Sequence, residues 1–229
     1  MAGLKRCFRT EDFRRLAARR LPGPIFHYID GGSDDEVTLR RNTDAFEDWD
    51  LVPNVLAGVD AIELSTEVLG QRLDIPLFFS PTAMQRLFHH DGERALAHAA
   101  EKYGTMFGVS TIGTRSIEEL GALADTPKLF QIYVHNDEGI TRDLIARCKA
   151  AGFGALALTV DTIVAGNRER DYHTGMTTPP RLTPRSLLDF ALHPRWTFNY
   201  LLRESFDLPN VSPYLKQGSS VASSVVDYI

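Results

Sequence analysis

A parallel β/α protein is what this sequence predicts, and two observations predict it. From residue 75 onward, short apolar runs rich in β-branched and aromatic residues (IPLFFS, TMFGVST, KLFQIYV and ALALTVD) alternate with segments that carry helix start and stop signals. Each run also ends on polar residues: Ser80 to Ala83, then Ser110 and Thr111, then Gln131 and Tyr133, then Thr159 and Asp161. Strands separated by helices run parallel with right-handed crossovers. Proteins built this way place ligands at the C-terminal ends of their strands. The residues themselves leave a doubly wound sheet and a β/α barrel both open.

The elements follow in order. Thr10 is placed to cap a helix carrying Phe13, Leu16 and Ala17 on one face, ending before Leu21-Pro22-Gly23-Pro24. A second helix starts near Ile25 and stops at Asp30-Gly31-Gly32. The next four residues, SDDE from Ser33 to Glu36, have the form of a capping box. All four apolar runs are expected to be buried strands. Between them, DGERALAHAAEKYG closes on Gly104, SIEELGALA opens with a Ser116/Glu119 capping box, and NDEGITRDLIARCKAAG closes on Gly152. After Asp171 the regularity fails in a proline-rich excursion, for which short helices are expected in SLLDFALH and WTFNYLLRE. Three segments result: a helical lead-in over 1–74, strand–helix units over 75–174, and the excursion over 175–229.

Composition narrows the classes of function. The 229 residues are 43% hydrophobic and 24% charged, with a net charge of -5, which offers no general affinity for nucleic acid. The basic residues of the first twenty positions read as the solvated face of an amphipathic helix. Cys7 and Cys148 have no C-x-x-C spacing and no secretory context, so a reducing, cytoplasmic setting is expected. No run reaches the roughly 18 apolar residues that a membrane span needs. His89-His90-Asp91 falls on a loop before a helix, without the one-face spacing of a metal or base pair, and reads as polar side chains facing solvent.

The stretches LPGPIFHYIDGGSDDEVTLRRN, SPTAM, FQIYV, ALTVDT and GNRERDYHTGM together resemble the FMN-dependent L-2-hydroxy acid oxidases and dehydrogenases, a family that includes L-lactate dehydrogenase, glycolate oxidase and mandelate dehydrogenase. The resemblance implies a TIM (β/α)8 barrel, of which this chain would supply the N-terminal helices, about four strand–helix units and the long loop after the fourth strand. Four units make half of such a barrel, which typically runs about 250 residues. The chain is therefore expected to be truncated, with the rest of the barrel as its missing partner.

Roles follow by position, as the resemblance implies them. Pro81, Thr82 and Ala83 would lie along the flavin, and Ser110, Gln131 and Thr159 would bond its ring edge. Tyr28 and Tyr133 would face the substrate, Tyr133 taking part in catalysis as well. Arg168 would bind the substrate carboxylate through its planar fork. Asp161 would steady the imidazolium of a proton-abstracting histidine. That histidine, a flavin-contacting lysine, a second arginine and the phosphate-binding glycines are all absent from this sequence. GGSDDE and RDYHTGM are closer to the lactate and mandelate dehydrogenases, whereas Ile112 stands where glycolate oxidases carry an aromatic residue. The expected reaction is FMN-dependent oxidation of a small L-2-hydroxy acid, L-lactate first, to the 2-keto acid. The alternative is a non-catalytic half-barrel fragment or scaffold. Residues 186–203 would form either packing over the barrel mouth or a contact with an electron acceptor or the inner face of a membrane. A homo-oligomer is expected of the complete protein.

Overall fold

The computed structural model describes residues 4–161, 164–177 and 180–214. Three helices open the chain: α1 (Thr10–Ala18), α2 (Gly23–Asp30) and α3 (Val37–Asp44). Thr10 turns out to be the first residue of α1 and not its cap; the Asp12 carboxylate accepts from the backbone N–H groups of Phe8 and Arg9 instead. SDDE is not a capping box either. Glu36 adopts a left-handed backbone (φ 56°) just before α3, and its carboxylate accepts from the Gly32 N–H and pairs with Arg170.

A short antiparallel hairpin follows, β1 (Thr66–Val68) and β2 (Gln71–Leu73). Its two-residue turn, Leu69-Gly70, has φ of 53° and 71°, the double positive φ that a tight hairpin of this kind requires. The sequence reading missed this hairpin because its strands are three residues long and largely polar.

The central sheet is parallel, with β3 (Phe107–Ser110), β4 (Lys128–Ile132) and β5 (Ala155–Leu158) in that spatial order. Helices α4 (Glu93–Lys102), α5 (Ile117–Leu123) and α6 (Glu138–Ala150) connect and cover them. The expected helix ends hold: Gly104 and Gly152 both take positive φ. Ser116 caps α5 by accepting from the Glu119 N–H, whereas the Glu119 carboxylate leaves the cap to pair with Arg94. Of the expected four buried strands, two are buried throughout. IPLFFS contributes a single bridge, Phe79 to Phe107, beside β3. Pro76 and Pro81 bracket it, and proline has no N–H for a ladder. The fourth run, β5, alternates between partly buried and exposed residues.

Side-chain alternation sorts the two faces of the sheet. Phe107, Val109, Phe130 and Ile132 point toward the helices, where they pack with Ile117, Leu120 and Leu144 in the main core. Leu129, Ala155 and Ala157 point the other way and meet Leu73 and Met106, so the hairpin covers the end at which the strands begin. Gly108 lies on this second face, and a Cβ there would stand 2.7 Å from Phe79 O, Pro81 N and Pro81 Cδ. The bare glycine thus brings the 79–81 segment onto the sheet, with Gly108 N–H donating to Phe79 O at 2.8 Å.

After β5 comes α7 (Glu169–Thr174), and the excursion then holds α8 (Pro184–Leu192) and α9 (Pro194–Leu202), both where short helices were expected. It then returns over the strand ends. Asn210, fully buried, accepts from the Ile117 N–H at 3.0 Å and donates to Arg115 O at 3.2 Å, while Leu208 and Val211 pack on Ile112. The remaining residues of the excursion, 178–179 and 215–229, lie outside the described residues, as do 162–163 directly after Asp161.

Candidate functional site

Period-two alternation along β4 puts Gln131 and Tyr133 on the face opposite the helices, and the sheet register sets Ser110 of β3 beside Gln131. The three expected flavin-edge side chains are hydrogen-bonded in a row. Ser110 Oγ donates to Gln131 Oε1 at 3.2 Å, and Gln131 Nε2 donates to Thr159 Oγ1 at 2.5 Å. Gln131 Oε1 also accepts from the Thr111 N–H at 3.2 Å. The amide orientation of Gln131 is therefore fixed from both sides.

Beside the row, residues 80–85 form a turn along the strand ends. Gln85 Nε2 donates to Thr82 O at 3.2 Å, Thr82 Oγ1 to Ser80 O at 3.3 Å, and Met84 N–H to Ile112 O at 2.9 Å. Among the described residues, no acceptor takes the backbone N–H of Thr82 or Ala83. Thr82 is exposed and Pro81 and Ala83 are half-buried, so this backbone edge with its spare donors suits a planar heterocycle rich in acceptors. Gln85, which shapes the turn, escaped the sequence reading; its signal was only a buried polar side chain in SPTAMQRL.

The two tyrosines stand close enough to influence each other electrostatically. Tyr28, on α2, stacks on Phe88 with centroids 6.5 Å apart, and the Arg168 guanidinium lies 5.2 Å from its ring centre. Burial pushes the Tyr28 phenol up, against the opposing pull of Arg168. Burial also raises Tyr133, with the charge of Asp161 adding to the shift. Both phenols accordingly keep their protons at neutral pH and are hydrogen-bond donors.

Arg168 is more committed than a simple carboxylate clamp. Its Nε donates to Asp171 at 2.6 Å, one terminal nitrogen donates to Gly31 O at 3.1 Å, and the other bonds Tyr28 O. Three of a guanidinium's five donors are thereby spent, two of them on fastening the loop after β5 to the end of α2 and one on Asp171. Two remain. Asp171 is the orienting residue that the sequence reading passed over, although its i,i+3 spacing from Arg168 was visible. Arg170 strengthens the same junction by pairing with Asp30 at 2.9 Å and with Glu36, and Arg14 reaches Asp30 from α1.

Asp161 lies at the same mouth, just past β5, and is exposed. Through space it acts on Tyr133. His89, His90 and Asp91 do come together, with potential ligand atoms within 4.8 Å of one another, although two of the three are exposed. The buried Cys148 thiol is pushed up to about 12 by burial, which leaves it unreactive packing.

The chain matches the FMN-dependent dehydrogenase family over residues 17–227. It is 40% identical over 206 residues to an L-lactate dehydrogenase of Vibrio parahaemolyticus serotype O3:K6, an alignment that covers 90% of this chain and 54% of that protein. Among solved structures it is similar to the monotopic membrane protein (S)-mandelate dehydrogenase, with a TM-score of 0.88, 33% identity, and 97% of this chain and 59% of the other covered. It is also similar to a soluble mutant of the membrane-associated (S)-mandelate dehydrogenase from Pseudomonas putida, with a TM-score of 0.70, 38% identity, and 79% and 51% of the two chains covered. The chain spans about half the length of the curated relatives it matches.

Proposed function

Since the chain belongs to the FMN-dependent dehydrogenase family, we propose that it carries the N-terminal share of a flavin site at which a small L-2-hydroxy acid, L-lactate first, is oxidised to the 2-keto acid. One observation carries this reading: the row Ser110–Gln131–Thr159, Tyr28, Tyr133, Arg168 and Asp161 all meet at one end of the parallel sheet. The TIM-barrel relatives and the parallel strand–helix order support the same architecture for this segment.

The residues present fit FMN. The free N–H edge at Thr82 and Ala83 and the fixed Gln131 amide would hold the isoalloxazine ring, and bound FMN supplies the two-electron acceptor. Hydrogen bonds from such groups set the ring's orientation and its electron affinity. The two unspent donors of Arg168 would take the substrate carboxylate, and the protonated Tyr28 and Tyr133 hydroxyls would bond the carboxylate and the substrate hydroxyl. Asp161 would steady a histidine base that polypeptide outside these 229 residues would bring, favouring the tautomer that accepts the substrate proton.

The outward faces of α8 and α9 extend the proposal to location. Leu187, Leu188, Leu192, Phe198, Leu201 and Leu202 are all exposed, with Arg195 and Arg203 nearby. Among the described residues no helix is long and apolar enough to cross a membrane. An amphipathic patch of this kind would dock at a membrane surface from one side.

The test is anaerobic stopped-flow reduction of bound FMN, with this chain joined to the remainder of its barrel. L-lactate or a near homologue bleaches the flavin and D-lactate does not. Equal rates with both enantiomers would sink the substrate assignment. A folded, flavin-loaded protein inert to every 2-hydroxy acid would favour the non-catalytic scaffold.

A further inference from the structure

Arg86 lies in the short turn after the 80–85 segment and is only 4% exposed, yet none of its three guanidinium nitrogens has a hydrogen-bond partner among the described residues. Burial and the neighbouring Arg115 charge both weigh against its protonated form. Among the described residues, the carboxylate acting on it is that of Glu204, which is already shared by Arg94 at 3.1 Å and by Arg115. A buried guanidinium without an anion carries an uncompensated desolvation penalty, like the partner left behind when a buried ion pair is broken. Among the described residues, that anion is left to be supplied.

Beside Arg86 is a cavity of about 420 Å³ where the end of α1, the 86–90 turn and α9 converge. Among the described residues, Arg19, Arg20, Arg86 and Arg195 line it, and no carboxylate does. His89, His90 and His193 also contribute, each with a carboxylate behind it: Asp91 lies 3.8 Å from His89 and 3.5 Å from His90, and Asp189 lies 3.6 Å from His193. The net positive charge therefore rests on the arginines. The wall opposite is held in place: Trp196 Nε1 donates to Leu87 O at 2.6 Å, and its ring stacks on Tyr200 at 5.0 Å. That bond pins α9 to the turn that carries Arg86.

We propose that this cavity binds a phosphate group, with Arg86 and Arg195 as its principal ligands. Several guanidinium forks around one tetrahedral dianion satisfy more donors than a planar carboxylate would, and the aromatic wall accommodates whatever the phosphate is attached to. The site is separate from the strand-end row, and the proposal does not depend on the hydroxy-acid reading.

The source of the phosphate is a free anion or a lipid head group, and one experiment separates them. FMN-loaded full-length protein is titrated with inorganic phosphate against sodium chloride of matched ionic strength, with thermal unfolding as the readout. In parallel it is floated with vesicles of equal phosphatidylglycerol and phosphatidylcholine, and with phosphatidylcholine vesicles alone. Phosphate raises Tm saturably in the wild type, and the apparent affinity falls about tenfold to a hundredfold in Arg86→Gln, the loss of a charge-assisted contact. Arg195→Gln weakens it as well. Flotation with phosphatidylglycerol alone, lost in both variants, assigns the phosphate to a lipid and still supports the site. Identical behaviour of the wild type and both variants overturns the proposal, as does no response to either probe or competition between phosphate and FMN. If Arg86→Gln does not fold, Arg195→Gln decides, because Arg195 is exposed on α9.

Discussion

Strands β3 and β5 flank the same neighbour with similar apolar sequences, FGVS and ALAL, and meet different fates. Every residue of β3 is buried. It has β4 on one side and the Phe79 bridge on the other, with α4 and α5 packed on its helix face. In β5, Leu156 and Leu158 occupy the helix-facing positions and stay largely exposed, because among the described residues no element covers them and no strand pairs beyond them. An apolar run thus encodes a strand and its two faces, whereas burial is conferred by what lies against it. The proposed site residues divide the same way: Ser110 and Gln131 are buried on β3 and β4, and Asp161 after β5 is open.

The largest effect expected from this division is chemical. In the complete flavin-loaded enzyme, Asp161→Asn keeps the shape and removes the charge, so the rate of flavin reduction per bound FMN falls by about 10²–10⁴, the usual contribution of a positioned acid–base group. FMN content hardly changes, since Asp161 is exposed and, among the described residues, makes no side-chain hydrogen bond to a buried group. A normal rate per flavin removes Asp161 from the site. The second contrast is in stability. Phe130→Ala, at a position with 0% exposure, costs about 3–5 kcal/mol, whereas Leu158→Ala, at 57% exposure, costs less than about 1 kcal/mol. Denaturant midpoints measure both, and equal losses would mean that β5 is covered after all.

Arg168→Lys sharpens the comparison at the junction between the loop and α2. Lysine keeps the charge but cannot reproduce the fork that reaches Asp171, Gly31 O and Tyr28 O at once. Substrate kcat/KM is expected to fall about tenfold to a hundredfold, with FMN affinity unchanged. Loss of flavin with an unaltered KM would make Arg168 a structural tie alone. The smallest effect is a pH dependence on the helix side of the sheet. The Arg147 guanidinium holds the Glu118 carboxyl down to about 2, at 2.6 Å. With a lowered folded value, the stabilisation is complete above the ordinary value of 4.5 and is lost as pH falls toward 2. Glu118 is 55% exposed, so solvent screening keeps the contribution below about 1 kcal/mol. Unfolding midpoints measured from pH 5 to 2 are expected to slope less steeply in Glu118→Gln.

Most of the strand–helix order was legible because its signals are local: a Ser116 hydroxyl three residues from the amide it caps, and glycines at 104 and 152 where the helices need positive φ. The strand-end positions of Ser110, Gln131 and Thr159 were legible locally too, whereas their grouping along a flavin edge came from the family resemblance. Period-two alternation fixes a side chain's face within its own strand. The less legible features depend on partners far along the chain. Glu36 looks like half of a capping box until Arg170, 134 residues away, takes its carboxylate. Arg168 looks like a free clamp until α2 presents its carbonyls, and nothing near Arg86 in the sequence shows that α9 is pinned to its turn. By itself, then, the sequence determined the alternation of strands and helices from β3 to β5 and the polar residues that end those strands, since backbone sterics and periodicity act over a few residues. Only the tertiary structure decided which charges are paired, which apolar residues are covered and which arginine is left without an anion, because electrostatics and burial depend on proximity in space and not on separation along the chain.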